Sequence, residues 1–226
     1  MFRKVFVVGL SALLFSSSFA LASPPSAHAQ SANQESTNES QKPQPRTLIL
    51  TATGDLEGTV VPYYDKGDIQ GLETGYIDLH YHSFDTGFVD GDHAYLTIEL
   101  PKEFATLAKQ ASFKENISGT MQRKGLLGDR SFTISQDDLT VSGARIVVKI
   151  PRELWIISGE IMADISINYG NIQKNFPIRL VQNSAEGYVF KSALRRSMAP
   201  WDPLQYPLLG TNSDTWESPY TTAYWD

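Results

Sequence analysis

From residue 47 onward the chain alternates apolar and polar residues with a period of two, which is the pattern of a half-buried β-strand. In residues 76–82, for example, apolar side chains alternate with Asp78, His80 and His82. About seven or eight short segments of this kind are separated by turn residues. They are residues 47–53, 76–82, 94–100, 131–135, 139–141, 144–150, 160–169 and 175–182.

This spacing predicts the fold class. No amphipathic pattern is long enough for the crossover helices that a parallel α/β sheet requires. About seven or eight strands over roughly 135 residues are typical of an antiparallel immunoglobulin-like β-sandwich, with a closed barrel as the alternative. We therefore predict an all-β protein with a sandwich domain over residues 47–183. Residues 184–226 are expected to form an extended C-terminal tail rich in proline and aromatic residues.

The N-terminus has the features of an export signal. Arg3 and Lys4 precede an apolar stretch of about 17 residues, which is short for a membrane span. Small residues flank one position at Ala20-Leu21-Ala22 and again at Ala27-His28-Ala29, and we favour cleavage after Ala29. We therefore predict a signal peptide over 1–29 and no stable membrane insertion. Residues 30–46 hold no aromatic residue and no aliphatic residue larger than alanine, which predicts a disordered linker.

Composition excludes several classes of function. The 226 residues carry 25 acidic against 19 basic side chains, a formal net charge of −6, so nucleic acid binding has no electrostatic basis. The chain has no cysteine, which excludes a disulfide framework, a thiolate nucleophile and cysteine-ligated metal centres. An exported chain without cysteine favours a Gram-positive bacterium over an animal secretory pathway. We predict a secreted, extracellular protein that needs no cofactor.

Two groups of polar residues raise the question of a metal site. Asp78, His80 and His82 lie on one strand face, where a pair of them could share an ion with a third ligand such as Asp90 or His93. Polar residues on the solvent face of a strand need no function, however, and we predict no metal there.

The second group lies in residues 84–92, which we interpret as a turn-rich loop. Asp85, Asp90, Gly91 and Asp92 form an acidic, glycine-containing loop of the kind that can hold calcium through oxygen ligands, but they lack the spacing of an EF-hand. Asp and Gly are also ordinary turn residues. Sequence motifs for hydrolases, metalloproteases, nucleotide binding and dinucleotide binding are absent from the chain, so we predict no catalytic residues and no enzyme.

Aromatic residues are concentrated in the proline-rich tail, where flat rings can stack on a sugar, a cation or another protein. The alternative is that the tail folds back and packs its rings on the sandwich, closing an edge strand. The candidate binding residues in this segment are Trp201, Tyr206, Trp216, Tyr220, Tyr224 and Trp225.

Two apolar loops are further candidates for contact. Leu126 and Leu127 lie between two glycines, and Trp155, Ile156 and Ile157 follow a strand that Pro151 ends. A run of consecutive apolar residues in a loop rarely points inward at every position. The alternative is that these residues cap the core at the end of the sandwich.

Segments in which a strand ends at a proline resemble the immunoglobulin-like sandwich domains of secreted Gram-positive surface proteins. They are residues 95–104 and 147–154, the second followed by Ser158-Gly159-Glu160 and an alternating strand. Adhesin domains and the bacterial hydrophobin-like biofilm coat proteins both have this feature. In the coat proteins, leucine-rich loops cover an interface. The resemblance implies that the two apolar loops have this role here. The chain departs from these families in the charged residues around the first loop, in its aromatic tail and in lacking an L-P-x-T-G motif.

These features predict a secreted, non-enzymatic surface or extracellular-matrix protein that acts by protein or interface contact. The alternative is a carbohydrate-binding module in which Trp201, Trp216 and Trp225 stack on sugar rings. The expected partner is a protein or polysaccharide at a surface, and self-association stays open.

Overall fold

Strands dominate the fold, as the alternating pattern predicts. The structure is a computed structural model that describes residues 48–64, 74–88, 94–125, 128–151, 158–198, 207 and 209–225. These residues belong to one compact unit, Gln41–Asp226. No helix within the described ranges has the length and apolar character needed to cross a bilayer.

The helices among the described residues are short, and the strands vary widely in length. The strands are β1 Leu48–Val61, β2 Tyr63–Tyr64, β3 Tyr76–Phe88, β4 Ala94–Glu99, β5 Ile117–Gly125, β6 Arg130–Thr133, β7 Leu139–Ser142, β8 Arg145–Ile150, β9 Ser158–Asn168, β10 Tyr188–Arg195, β11 Leu209–Thr211, β12 Ser213–Ser218 and β13 Tyr224–Trp225. The helices are α1 Ala105–Ala108 and α2 Gly170–Gln173, with 3-10 turns at Lys102–Phe104, Lys114–Asn116 and Gln136–Asp138.

The strands form two sheets whose order is that of an immunoglobulin domain. Sheet 1 has six strands in the order β11-β1-β3-β9-β5-β6, and sheet 2 has five in the order β12-β10-β4-β8-β7. In immunoglobulin lettering, β1-β3-β9-β5 corresponds to the A-B-E-D sheet and β12-β10-β4 to G-F-C. Strands β6, β7 and β8 are insertions between D and E.

Pairing within the two sheets is antiparallel, except that β1 and β11 are parallel. The predicted antiparallel β-sandwich is therefore confirmed. A separate parallel pair joins β2 to β13.

The core between the sheets is centred on aromatic rings. Phe104, in the 3-10 turn after Pro101, is fully buried. Its ring meets Tyr169 and Tyr188 edge-on, with centroids 5.9 and 5.1 Å apart. Edge-on contacts of this kind add to the stability that burial itself supplies. The short helical segment after β4 therefore supplies a core residue.

Alternation along the strands correctly predicted which side chains face the core. The predicted inward positions of β3 and β9 are all buried. They are Ile77, Leu79, Tyr81, Ile161, Ala163, Ile165 and Ile167.

The predicted domain boundary after residue 183 requires correction. Strand β10 lies between β4 and β12 in sheet 2, and β11 pairs with β1 at the edge of sheet 1. A boundary at 183 would remove a central strand of one sheet. The described part of the tail therefore packs as part of the sandwich, which was the alternative considered for it.

The strand predicted at residues 175–182 is wrong. Helix α2 ends at Gln173, and the chain continues in turns. Pro177 has no N–H group for a strand ladder. The buried Gln173 amide satisfies this backbone instead, donating to the Ile178 carbonyl at 2.7 Å and accepting from the Leu180 N–H at 2.9 Å.

The loop predicted at residues 84–92 also requires correction in its first part, because β3 continues to Phe88. Inward alternation persists beyond Tyr81 through the buried Ser83 and Asp85. Residues 89–93 lie outside the described ranges.

Candidate functional site

Several connections begin and end at one end of the sandwich, which we call the loop end. The pairings place Gly125 opposite Gly159, and Gly159 opposite Asp85. In sheet 2, Ala94 lies opposite Ile150. The connections over 89–93, 126–127 and 152–157 are therefore flanked by strands that end together. Five predicted site residues fall in these connections and lie outside the described residues: Leu126, Leu127, Trp155, Ile156 and Ile157.

A buried arginine supports the first of the predicted apolar loops. Arg123 is 3% exposed, and its Nη2 donates to the Gly128 carbonyl at 2.6 Å. The N–H of Gly128 in turn donates to the Gly125 carbonyl at 2.9 Å, closing the connection between β5 and β6. Gly128 has φ +89°, a backbone conformation that favours glycine. Arg123 therefore fixes the described residues on either side of Leu126 and Leu127.

A pair of polar side chains, Ser83 and Asp85, faces the interior of the sandwich near the loop end. The Ser83 hydroxyl donates to Asp85 Oδ2 at 2.5 Å, and Asp85 is 5% exposed. Burial raises the pKa of the Asp85 carboxyl to about 7, although the Ser83 hydrogen bond opposes part of that rise.

The unpaired atoms of these buried groups are Asp85 Oδ1 and Arg123 Nε and Nη1, which have no hydrogen-bond partner among the described residues. Asp85 belonged to the loop considered as a calcium candidate, but it points inward from a strand. The other members of that loop, Asp90, Gly91 and Asp92, lie outside the described residues.

Large apolar side chains are exposed on the outer face of sheet 1 at the loop end. Phe84 is 47% exposed and Leu209 is 67% exposed. Phe84 lies opposite Thr53, which also pairs with Thr211, two residues beyond Leu209. The sequence interpretation missed both residues, because Phe84 was assigned to a loop and Leu209 to the tail. The signal for Phe84 was its outward position two residues beyond His82 in an alternating strand.

The described aromatic residues of the tail divide into packed and exposed rings. Trp216 is half-buried and lies over Phe190, with centroids 5.3 Å apart and planes inclined by 30°. Tyr224 is 5% exposed, and its hydroxyl donates to Gln173 Oε1 at 2.6 Å and accepts from the Val181 N–H at 3.0 Å.

The predicted role of Tyr224 as a binding ring therefore requires correction, because its ring packs in the core. Tyr220 and Trp225 are 42% and 39% exposed. They follow the end of β12, away from the loop end. Trp201 and Tyr206 lie outside the described residues.

The histidine face points to solvent. Asp78, His80 and His82 lie on the outer face of sheet 1, and His80 Nδ1 is 2.7 Å from Asp164 Oδ1. His80 and Asp164 are exposed, and they line a groove of about 430 Å³. In the described part of the chain, no three acidic or histidine side chains are grouped closely enough to hold a metal ion. That no metal binds here stays a prediction.

Comparison with known proteins gives a weak likeness to adhesin domains. No protein-family model and no curated protein matches the chain.

The collagen-binding domain of Erysipelothrix rhusiopathiae surface protein RspB is 9% identical, with a TM-score of 0.30, over 74% of this chain and 48% of that one. The chain thus spans about half the length of that structure. The collagen-binding domain from a Staphylococcus aureus adhesin is 10% identical, with a TM-score of 0.30, over 73% of this chain and 95% of that one.

ACE19, the collagen-binding subdomain of Enterococcus faecalis surface protein ACE, is 8% identical, with a TM-score of 0.31, over 72% of this chain and 93% of that one. Likeness at this level says nothing about what this chain binds. The strand order, by contrast, supports the immunoglobulin-like fold directly.

Proposed function

We propose that this is an exported, non-enzymatic protein of the bacterial cell surface or extracellular matrix, which acts by contact through its loop end. The contact is with an apolar surface, presented by a protein partner or by an interface. The observation that carries the proposal is the exposure of Phe84 and Leu209 at this end. The pairings place these two side chains on one face, two strand intervals apart. Exposed apolar side chains that lie together on a surface mark interaction sites.

The neighbouring connections support the same role. Leu126 and Leu127 are flanked by residues that Arg123 and the Gly128 hydrogen bond fix in place. Trp155, Ile156 and Ile157 lie between Ile150 and Gly159, which both belong to strand ends at the loop end. Holding flanking residues rigidly reduces the conformational entropy lost when a loop docks.

The arrangement of polar groups supports a role without catalysis. Ser83 and Asp85 point into the sandwich, whereas His80 and His82 point outward from the same strand. Because the sheet separates them, the described histidines cannot act as a base for Ser83. Contact, rather than chemistry on a substrate, is therefore the role that these residues suit.

The test compares three surfaces for the purified protein. Adsorption is measured at an air–water interface by dynamic surface tension, on immobilised extracellular-matrix proteins, and on insoluble polysaccharide. The proposal predicts adsorption to the first or second surface. Binding confined to polysaccharide, and lost in Trp225→Ala, would assign the function to a carbohydrate-binding module instead.

A further inference from the structure

The outer face of sheet 1 is acidic. Outward positions on β1, β3 and β9 carry carboxylates, and the outward lysine of β5 is Lys124. Three of the acidic residues are exposed, and the other two are half-buried. They are Asp55, Glu57, Asp78, Glu160 and Asp164.

The outer face of sheet 2 has the opposite charge. Its central strands β10, β4 and β8 carry four basic side chains at outward positions, namely Arg145, Lys149, Lys191 and Arg195. The acidic residues at outward positions of the described strands are Glu99, which bonds Arg145 at 2.6 Å, and Glu217. The two outer surfaces of the sandwich therefore differ in the sign of their charge.

The spacing of the charges on the two faces also matches. On sheet 1, Glu57 and Asp164 lie in one cross-strand row on either side of His80. On sheet 2, Lys191 and Arg145 lie in one row on either side of Glu99. Each row therefore spans two strand intervals, or about 10 Å.

A second row on sheet 2 has the same dimension, since Arg195 and Lys149 lie on either side of Tyr95. One carboxylate pair on sheet 1 and two basic pairs on sheet 2 thus share a common interval.

We propose that the acidic face of sheet 1 docks on the basic face of sheet 2 of a second copy of this chain. Each contact uses the acidic face of one copy and the basic face of the other, so one basic and one acidic face stay free at the two ends of the pair. The contact is therefore heterologous and propagates into open stacks. A two-fold contact between two acidic faces would instead bring like charges together. The occupant of each face is therefore another copy in the same orientation.

The dimensions of the faces predict that each contact is weak. Five strands at about 4.8 Å and roughly six residues at about 3.3 Å give a face of about 25 by 20 Å. A face of that size buries about 500 Å² per copy, below the about 800 Å² per partner of a stable complex. Stacking should therefore depend steeply on concentration, as it would in a crowded extracellular layer.

Charge-reversed variants of the purified full-length protein test the proposal. The face variant, Lys149→Glu with Lys191→Glu, makes both faces acidic. The control, Lys109→Glu with Lys174→Glu, changes the net charge by the same amount at exposed lysines that lie on neither face. Self-association is measured by static light scattering and sedimentation velocity at millimolar concentration. We expect the face variant to associate at least about fivefold more weakly than its control, because exposed charge pairs contribute modestly and reversal replaces attraction with repulsion. Unchanged melting temperatures confirm folding.

Mixing two charge-reversed variants supplies a second test of the proposal. Asp55→Lys with Glu57→Lys makes the face of sheet 1 more basic, at two exposed residues of β1. We expect this variant to associate weakly alone and to recover association when mixed with Lys149→Glu/Lys191→Glu. Equal behaviour of the face variant and its control would overturn the proposal. A second result would also overturn the proposal: Asp55→Lys/Glu57→Lys loses binding to polylysine but self-associates as the wild type does. The acidic face would then bind a different cationic partner.

Discussion

The hydroxyl of Tyr81 in sheet 1 donates a 2.7 Å hydrogen bond to the backbone carbonyl of Asn212, the residue at which the chain leaves sheet 1 for sheet 2. The same carbonyl accepts from the Leu194 N–H at 3.2 Å, and Asn212 Nδ2 donates to the Leu194 carbonyl. A Cβ at Gly54 would lie 2.6 Å from the Asn212 carbonyl carbon, so this approach requires glycine. The C-terminal segment is therefore joined to both sheets.

Truncation after residue 183 is accordingly expected to abolish folding. It removes β10 and β12 from sheet 2 and β11 from sheet 1, and it leaves β4 as an edge strand open to solvent. The shortened protein should aggregate or lack a cooperative thermal transition by circular dichroism. A soluble fragment over 1–183 that melts cooperatively would show that the first nine strands suffice.

The two described tail tryptophans should behave differently when replaced by alanine. Trp216 packs on Phe190, and its ring reaches the backbone at Gly58. Trp216→Ala should cost about 2 kcal/mol of the free energy of unfolding, because a packed ring is removed. Trp225 is 39% exposed, and Trp225→Ala should cost less than about 1 kcal/mol. Urea denaturation measures both, and equal losses would contradict this assignment.

The core strands could be predicted because apolar residues alternate without interruption. Ile77, Leu79 and Tyr81 needed nothing beyond a period of two. The inward positions of Ser83 and Asp85 could not be predicted, because Asp in such a stretch usually signals a turn. Their burial depends on the sheet around them, which the sequence does not display.

The tail was misinterpreted for a different reason. In β10, the side chains of Tyr188, Phe190 and Leu194 alternate inward, so the signal was present in the sequence. The exposed Lys191 and the prolines further along obscured it. At the loop end, Phe84 was missed although it continues the alternation of β3. Leu209, in contrast, is the first residue of the three-residue strand β11, which is too short for its local pattern to specify.

The buried Asp85 should make stability depend on pH. The pKa of its carboxyl is about 7 in the folded state, above the ordinary value of 3.8. Between pH 3.8 and about 7, the carboxyl is therefore protonated in the folded state and ionised in the unfolded state. The free energy of unfolding should therefore fall as pH rises from about 4 to about 7, by up to about 1.4 kcal/mol per pH unit from this group.

Two variants isolate that effect. Asp85→Asn cannot ionise, so its stability should fall less than that of the wild type over the same range. Ser83→Ala removes the hydrogen bond that lowers the pKa of Asp85, so its decline should extend to higher pH. Urea denaturation at half-unit pH intervals measures both. Parallel curves for Asp85→Asn and the wild type would contradict the burial of an ionisable group at this position.

Contact through the loop end is tested most directly by removing its exposed apolar side chains. The loop-end pair, Phe84→Ser with Leu209→Ser, replaces residues that are 47% and 67% exposed. The control pair, Ile178→Ser with Tyr220→Ser, replaces residues elsewhere on the sandwich that are 64% and 42% exposed. Dynamic surface tension and binding to immobilised matrix proteins are measured for both pairs. We predict that the loop-end pair adsorbs several-fold more slowly or weakly than the wild type, while the control pair does not change. Equal losses in both pairs, or no loss in the loop-end pair, would contradict the account.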